Sequence, residues 1–212
     1  MDERDDARTP RVELLATIVL AVAAVATAWS TYQGSRWRGE QAVDTSRATA
    51  AHIESSEAQT RAGQLTQVDI ATFTQWIDAT AAGDTALAAF YESRFRDEFR
   101  PAFDAWTATE PLTSPDAPLT PFVMPEYQLA EAQRSTTLNR EAGERSAAAG
   151  AANEHADDYM LAVVLFASAL FFAAISGKVH SRRQGEFLLG VGAVILLGAA
   201  TWVLTLRMSF GR

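Results

Sequence analysis

The chain has 212 residues, no cysteine, and 26 acidic against 18 basic residues, for a formal net charge of −8. The missing cysteines exclude disulfides and thiolate metal sites, and the acidic balance disfavours a nucleic-acid partner, which needs a basic footprint. Three stretches without charge, Leu14 to Ser35, Tyr159 to Gly177 and Phe187 to Leu206, make a wholly soluble protein an unsuitable reading.

In chain order, residues 1–11 read as a cytoplasmic tail and 12–32 as a first transmembrane helix, since ~20 apolar residues rising ~1.5 Å each cross a bilayer core. Ala26-Thr27-Ala28 also has the small-x-small form of a signal-peptide cleavage site. Against cleavage, Asp2, Glu3, Asp5 and Asp6 stand where a positive region is required, and nothing breaks the helix before the cut. Trp29, Tyr32 and Arg36 fall on one helix face at the end of this span. With Trp37, Tyr159 and Trp202 they are the candidate membrane-interface anchors.

Residues 33–158 hold 20 acidic residues against 10 arginines and form the expected extracytoplasmic helical domain. Within it, 33–80 and 126–158 are free of proline and predict an antiparallel helical stalk. Ala51, Ala58, Leu65 and Thr72 recur every seven residues, flanked by Ala48, Ser55 and Ala62, and Ala142, Ala149 and Ala156 do the same on the return. Seams of such small residues bring helices close and bury little area.

Residues 81–125 are the expected head and proline-rich loop. Ile70, Phe73, Trp76, Ile77, Leu87, Phe90, Tyr91, Phe95, Phe99, Phe103 and Trp106 concentrate bulk that predicts an aromatic core rather than a ligand platform. Gly83-Asp84 reads as a turn with Asp84 as N-cap of the next helix, and Pro101 as the point where that helix kinks or restarts. Five prolines between 111 and 125 predict a rigid connector. Its apolar residues, Leu119, Phe122 and Met124 among them, either fold back over the head or meet a partner protein.

Residues 159–177 form the second predicted transmembrane helix, 178–185 a cytoplasmic loop, 186–206 the third transmembrane helix and 207–212 an extracytoplasmic tail. Arg4, Arg8 and Arg11 share a side with Lys178, Arg182 and Arg183, which puts that side in the cytoplasm. Lys178, Arg182 and Arg183 are the candidate contacts for anionic lipid. Ala169, Ala173 and Gly177, and Gly192 with Ala199 and Ala193 with Ala200, are small-residue seams for packing within or between subunits.

Candidate chemistry is sparse. His52 and His155 stand at different heights on the two stalk helices and His180 lies in the cytoplasmic loop, so no histidine site is expected. No phosphate loop, serine elbow or cofactor motif occurs, and no enzyme activity or cofactor is expected. Arg36 and Arg38 lie at roughly the height of Glu154, Asp157 and Asp158. These charges predict a salt-bridge cluster steadying the stalk or, in a ring of subunits, an acidic vestibule for cations.

The run Ala26-Thr27-Ala28-Trp29-Ser30-Thr31-Tyr32-Gln33, followed by Arg36-Trp37 and Gly39, resembles a pattern at the end of the first span in an uncharacterised family of bacterial inner-membrane proteins. That resemblance implies a helical insert followed by a two-span C-terminal hairpin, and it carries over no catalytic role because the family's function is unknown.

The expectation is therefore an all-α integral membrane protein of the bacterial inner membrane. It has three transmembrane helices and an extracytoplasmic antiparallel stalk with a small helical head. A non-enzymatic accessory, scaffold or sensing subunit is the first functional reading, with homo-oligomers and an envelope protein as partners beside the bilayer. An oligomeric ion channel with an acidic outer vestibule is the alternative.

Overall fold

The computed structural model describes residues 10–179 and 181–208, and all regular structure among them is helical. Residues 1–9 of the expected N-terminal tail, His180 and Arg212 lie outside the described residues, and Pro10 and Arg11 already belong to the first helix. Five α-helices follow in order: α1 Pro10–Ala81, α2 Thr85–Glu92, α3 Arg100–Thr107, α4 Ala130–Ser176 and α5 Arg182–Thr205. Three of them, α1, α4 and α5, contain stretches long and apolar enough to cross a membrane.

Helix α1 runs for 72 residues because no proline follows Pro10 before Pro101. It stops at a glycine. Gly83 takes φ 73°, its N–H donates to Thr80 O at 3.1 Å, and Asp84 N donates to Ala79 O at 3.0 Å. Paired bonds of this kind satisfy the last carbonyls of a helix, and only glycine reaches that φ without strain. Asp84 then caps α2 as expected, its Oδ1 accepting from Leu87 N at 3.0 Å.

The chain divides into two compact units. The first comprises residues 1–46 and 145–212 and holds the N-terminal part of α1, most of α4, and α5. Its core is Ala23, Tyr159, Ala162, Phe166, Ala169, Leu196, Ala199 and Val203. Glycines set the approach of α4 and α5. A Cβ at Gly192 would lie 3.2 Å from Ala169 O and 3.3 Å from Phe172 Cβ, and one at Gly185 would lie 3.0 Å from Ser176 O. The small faces of Ala169, Ala173, Gly192 and Ala199 are thus consumed inside the chain. Large residues such as Val164, Phe171, Val194, Leu197 and Leu204 are left on the outside.

The turn between α4 and α5 is shorter than the expected 178–185, because α4 ends at Ser176 and α5 begins at Arg182. Charge marks where a helix can leave an apolar phase, not where the helix ends. Arg182 and Glu186 pair along the first turn of α5 at 3.0 Å and support it.

The second unit, residues 47–144, is built on the antiparallel pairing of α1 with the start of α4. Ala51, Ser55, Ala58 and Ala62 are buried, as are Ser135 and Ala142. Approach is close enough for Ser55 Oγ to donate to Ser135 O at 2.9 Å, with Gln59 Oε1 accepting from Ser135 Oγ at 3.3 Å. Leu65 and Thr72 of the expected seam are only half-buried.

An aromatic core closes this unit: Phe73, Trp76, Phe95, Phe99, Phe103 and Trp106, with Tyr91, Phe122, Met124 and Tyr127 packed on it. Edge-to-face pairs dominate, as between Trp76 and Phe103 at 4.9 Å, Phe95 and Phe103 at 4.8 Å, and Phe73 and Trp106 at 5.2 Å. Such pairs add ~0.5–1.5 kcal/mol each beyond their buried area. Ile70, Leu87 and Phe90, expected in the core, are exposed. Leu87, Tyr91, Phe95, Phe99 and Phe103 recur at every fourth position, a helical spacing, yet they do not lie along one helix. Helix α2 ends at Glu92, turns occupy 93–99, and α3 starts at Arg100 with Pro101 in its first turn. That break re-aims Phe95 and Phe99 into the core and leaves α2 with no fully buried residue.

Candidate functional site

The one buried ionic constellation among the described residues lies in the second unit, beside the aromatic core, and it centres on Asp69 of α1. The Asp69 side chain is 0% exposed. Its Oδ2 accepts from Arg96 Nη1 at 3.1 Å and lies 3.0 Å from the Tyr127 hydroxyl. That hydroxyl is also 3.2 Å from Thr66 Oγ1, which donates its own proton to Ala62 O at 3.0 Å. A single tyrosine proton serves both, and the charged carboxylate is the stronger acceptor. Asp69 Oδ1 is buried without a hydrogen-bond partner.

Arg96 carries the arrangement further. Its second terminal nitrogen donates to Glu98 Oε2, and Glu98 Oε1 accepts from Ala130 N at 3.0 Å. Ala130 is the first residue of α4, whose opening N–H groups have no partner within the helix. The turn between α2 and α3 is therefore fastened to α1 through Asp69 and to α4 through Glu98. Burial pushes the Asp69 carboxyl above its ordinary value of 3.8, against the opposing pull of the Tyr127 hydroxyl and the Arg96 charge. Burial also raises Tyr127, and the neighbouring Asp69 charge adds to it. No solvent reaches Asp69, and its bonds tie α1 to the turn after α2 and to Tyr127.

The sequence pattern held part of this. Asp69 stands seven residues after Ala62 and fourteen after Ser55, an acid at a seam position. Arg96, Glu98 and Tyr127 come from 27 to 58 residues away and carry no local signal for their meeting.

The expected interface residues divide. Trp29 and Tyr32 are exposed, with ring centroids 6.0 Å apart, and Trp202 is half-buried. Tyr159 departs from the expectation: it is completely buried in the first unit, and its hydroxyl donates to Arg207 O at 3.2 Å. Trp37 Nε1 donates to the same carbonyl at 3.1 Å, and its ring packs on His155 at 4.5 Å. Two donors on one carbonyl thus fix the chain just past the end of α5.

The expected salt-bridge cluster does not form. Among the described residues, neither Arg36 nor Arg38 pairs with Glu154, Asp157 or Asp158. The Arg36 Nε is buried without a partner, and Asp157 accepts from Asn153 Nδ2 at 3.1 Å. The reason is rotational: α1 and α4 meet through Gly34 and Trp37 against Ala156, Tyr159 and His155, which turns Arg38, Glu154 and Asp157 outward. The cross-helix ion pair in this unit is Arg145 with Asp44 at 3.3 Å.

In the connector, Phe122 and Met124 fold back onto the aromatic core, whereas Leu119 is 92% exposed. Trp106 Nε1 donates to Pro118 O at 2.7 Å and pins the residue just before it. Lys178 lies in the α4–α5 turn, Arg182 pairs with Glu186, and Arg183 is exposed. His52 lies on an open face of α1, and the described residues contain no group of three or more His, Asp or Glu placed to hold a metal. Compared with protein-family models, curated proteins and solved structures, the chain matches none.

Proposed function

We propose that the protein is a non-enzymatic component of the bacterial inner membrane that presents residues 33–158 outside the cytoplasm and docks an envelope partner there. The carrying observation is Leu119, an apolar side chain almost fully solvent-exposed on a segment pinned by the Trp106–Pro118 hydrogen bond. Leu112 and Val123 of the same segment are also exposed. A rigid backbone that offers apolar side chains loses little conformational freedom on docking. The membrane part of the reading is supported by the three long apolar helices and by the large side chains left on the outside of the first unit. The channel reading has less support, since the small faces suited to lining a pore are spent on contacts within the chain.

The natural absence of cysteine makes the test direct. In intact cells a membrane-impermeant maleimide labels Leu119→Cys, and it labels Arg183→Cys only after permeabilisation. The reverse pattern would reject the topology. A photocrosslinker at position 119 in intact envelopes joins the chain to one other protein species. Crosslinks to copies of this chain alone, or none, would reject the docking role.

A further inference from the structure

We infer that the start of α5 is a seat for one anionic phospholipid of the cytoplasmic leaflet, its phosphate at Arg183 and its acyl chain over Phe187 and Leu188. This rests on the membrane reading above. A groove of about 420 Å³ is lined by Val179, Arg183, Gln184, Phe187 and Leu188. Its polar residues, Arg183 and Gln184, stand one helical turn before its apolar pair, Phe187 and Leu188, a rise of ~6 Å along the axis. That order matches a lipid, in which a charged phosphate and an apolar chain are separated by a glycerol.

Charge complementarity names the headgroup. Arg182 is already neutralised by Glu186 at 3.0 Å. Arg183 has no acidic partner among the described residues, and neither does Lys178, one residue before Val179. No acid occurs between 178 and 185 to compete for them. Phe187, which lines the same groove as Arg183, is 71% exposed, an apolar surface that a free phosphate ion would leave uncovered. A zwitterionic lipid would cover it and bring no net charge. The occupant that uses both features is a phosphodiester with a net negative charge and attached acyl chains.

The test uses the full chain reconstituted in nanodiscs of phosphatidylglycerol and phosphatidylcholine, with lipid retained after detergent extraction counted by mass spectrometry. The wild-type chain retains phosphatidylglycerol roughly twenty-fivefold over its share of the mixture, about fivefold for each of the two cations. Each cation removed lowers that preference roughly fivefold, so Lys178→Gln with Arg183→Gln brings it to the bulk ratio. Phe187→Ala lowers total retained lipid while both cations remain. An unchanged preference in the double variant would overturn the seat, and so would displacement of the lipid by excess inorganic phosphate. If the wild-type chain leaves membrane vesicles of the expressing cells in alkaline carbonate, the membrane reading fails and the seat falls with it. Retention in carbonate without any lipid preference refutes the seat alone.

Discussion

Replacing Arg96 by Met removes the cation paired with Asp69 and leaves its carboxylate with the Tyr127 hydroxyl and a buried, unpartnered Oδ1. Breaking a buried pair from one side costs ~3–5 kcal/mol, because the remaining charge stays desolvated. Arg96 is 23% exposed, which lets water replace part of its field and sets the expectation near the lower end. Protonation imposes a ceiling. Asp69 can take up a proton instead of staying charged, at ~1.4 kcal/mol for each unit by which the pH exceeds its unfolded value of 3.8. That ceiling is at most ~4 kcal/mol at pH 7 and ~1.6 kcal/mol at pH 5, and the penalty relative to wild type is capped lower by what burial of the charged Asp69 already costs the wild-type chain. The Arg96→Met penalty therefore shrinks from about 3 kcal/mol at pH 7 to no more than about half that at pH 5. At ~2–4 °C for each kcal/mol in a chain of this size, Tm falls by ~6–12 °C at neutral pH. Thermal unfolding in mild detergent, followed by near-ultraviolet circular dichroism of the aromatic core, measures it. Asp69→Asn together with Arg96→Met removes the stranded charge and recovers most of the loss. A penalty equal at both pH values, or a double variant no better than Arg96→Met alone, would refute the electrostatic account of the hub.

The wild-type chain has a pH dependence of the same origin. Because burial raises Asp69, its charged form costs stability above the folded pKa, and that cost disappears as the pH falls through that value toward 3.8. Asp69→Asn flattens this part of the stability profile, as denaturant titrations at stepped pH would show. Phe99→Ala removes a fully buried ring that touches Phe73, Phe95, Phe103, Phe122 and Tyr127, and lowers stability by ~3–5 kcal/mol in the same melts. Gly192→Ala forces its new Cβ against the Ala169 carbonyl and costs ~1–3 kcal/mol. Gly143→Ala and Gly150→Ala meet open space on α4 and add ~0.5–1 kcal/mol each through helix propensity. Unfolding in graded denaturing detergent ranks the three glycine variants.

What could be read from the sequence followed from local physics. Uncharged runs, absent prolines and sevenfold spacing of alanines report on one helix at a time. They placed α1, α4 and α5, the buried faces at Ala51, Ala58, Ala142, Ala149 and Ala156, and the cap at Asp84. The break between α2 and α3 was not legible, because residues 84–100 contain neither proline nor glycine. It forms where Phe95 and Phe99 gain more by turning into the rings of Phe73 and Phe122 than by continuing a solvent-facing helix. The hub escaped for the same reason, since its parts are brought together only by that turn.

The acid at position 69 belongs to the logic of the seam rather than to chemistry. An alanine seam brings two helices close in any of several registers, each burying much the same small area. A carboxylate that must meet Tyr127 and Arg96 or stay stranded admits only one of them, and Ser55 with Ser135 adds a second point of registry. Aligning the pair at Asp69 also places Glu98 at the first residue of α4. Asp69→Leu with Arg96→Met then separates stability from registry: the apolar pair melts at least as high as the Asn–Met pair, while disulfides between cysteines placed at 55 and 135 form less completely. Undiminished crosslinking in that background would show that the alanine spacing alone sets the register.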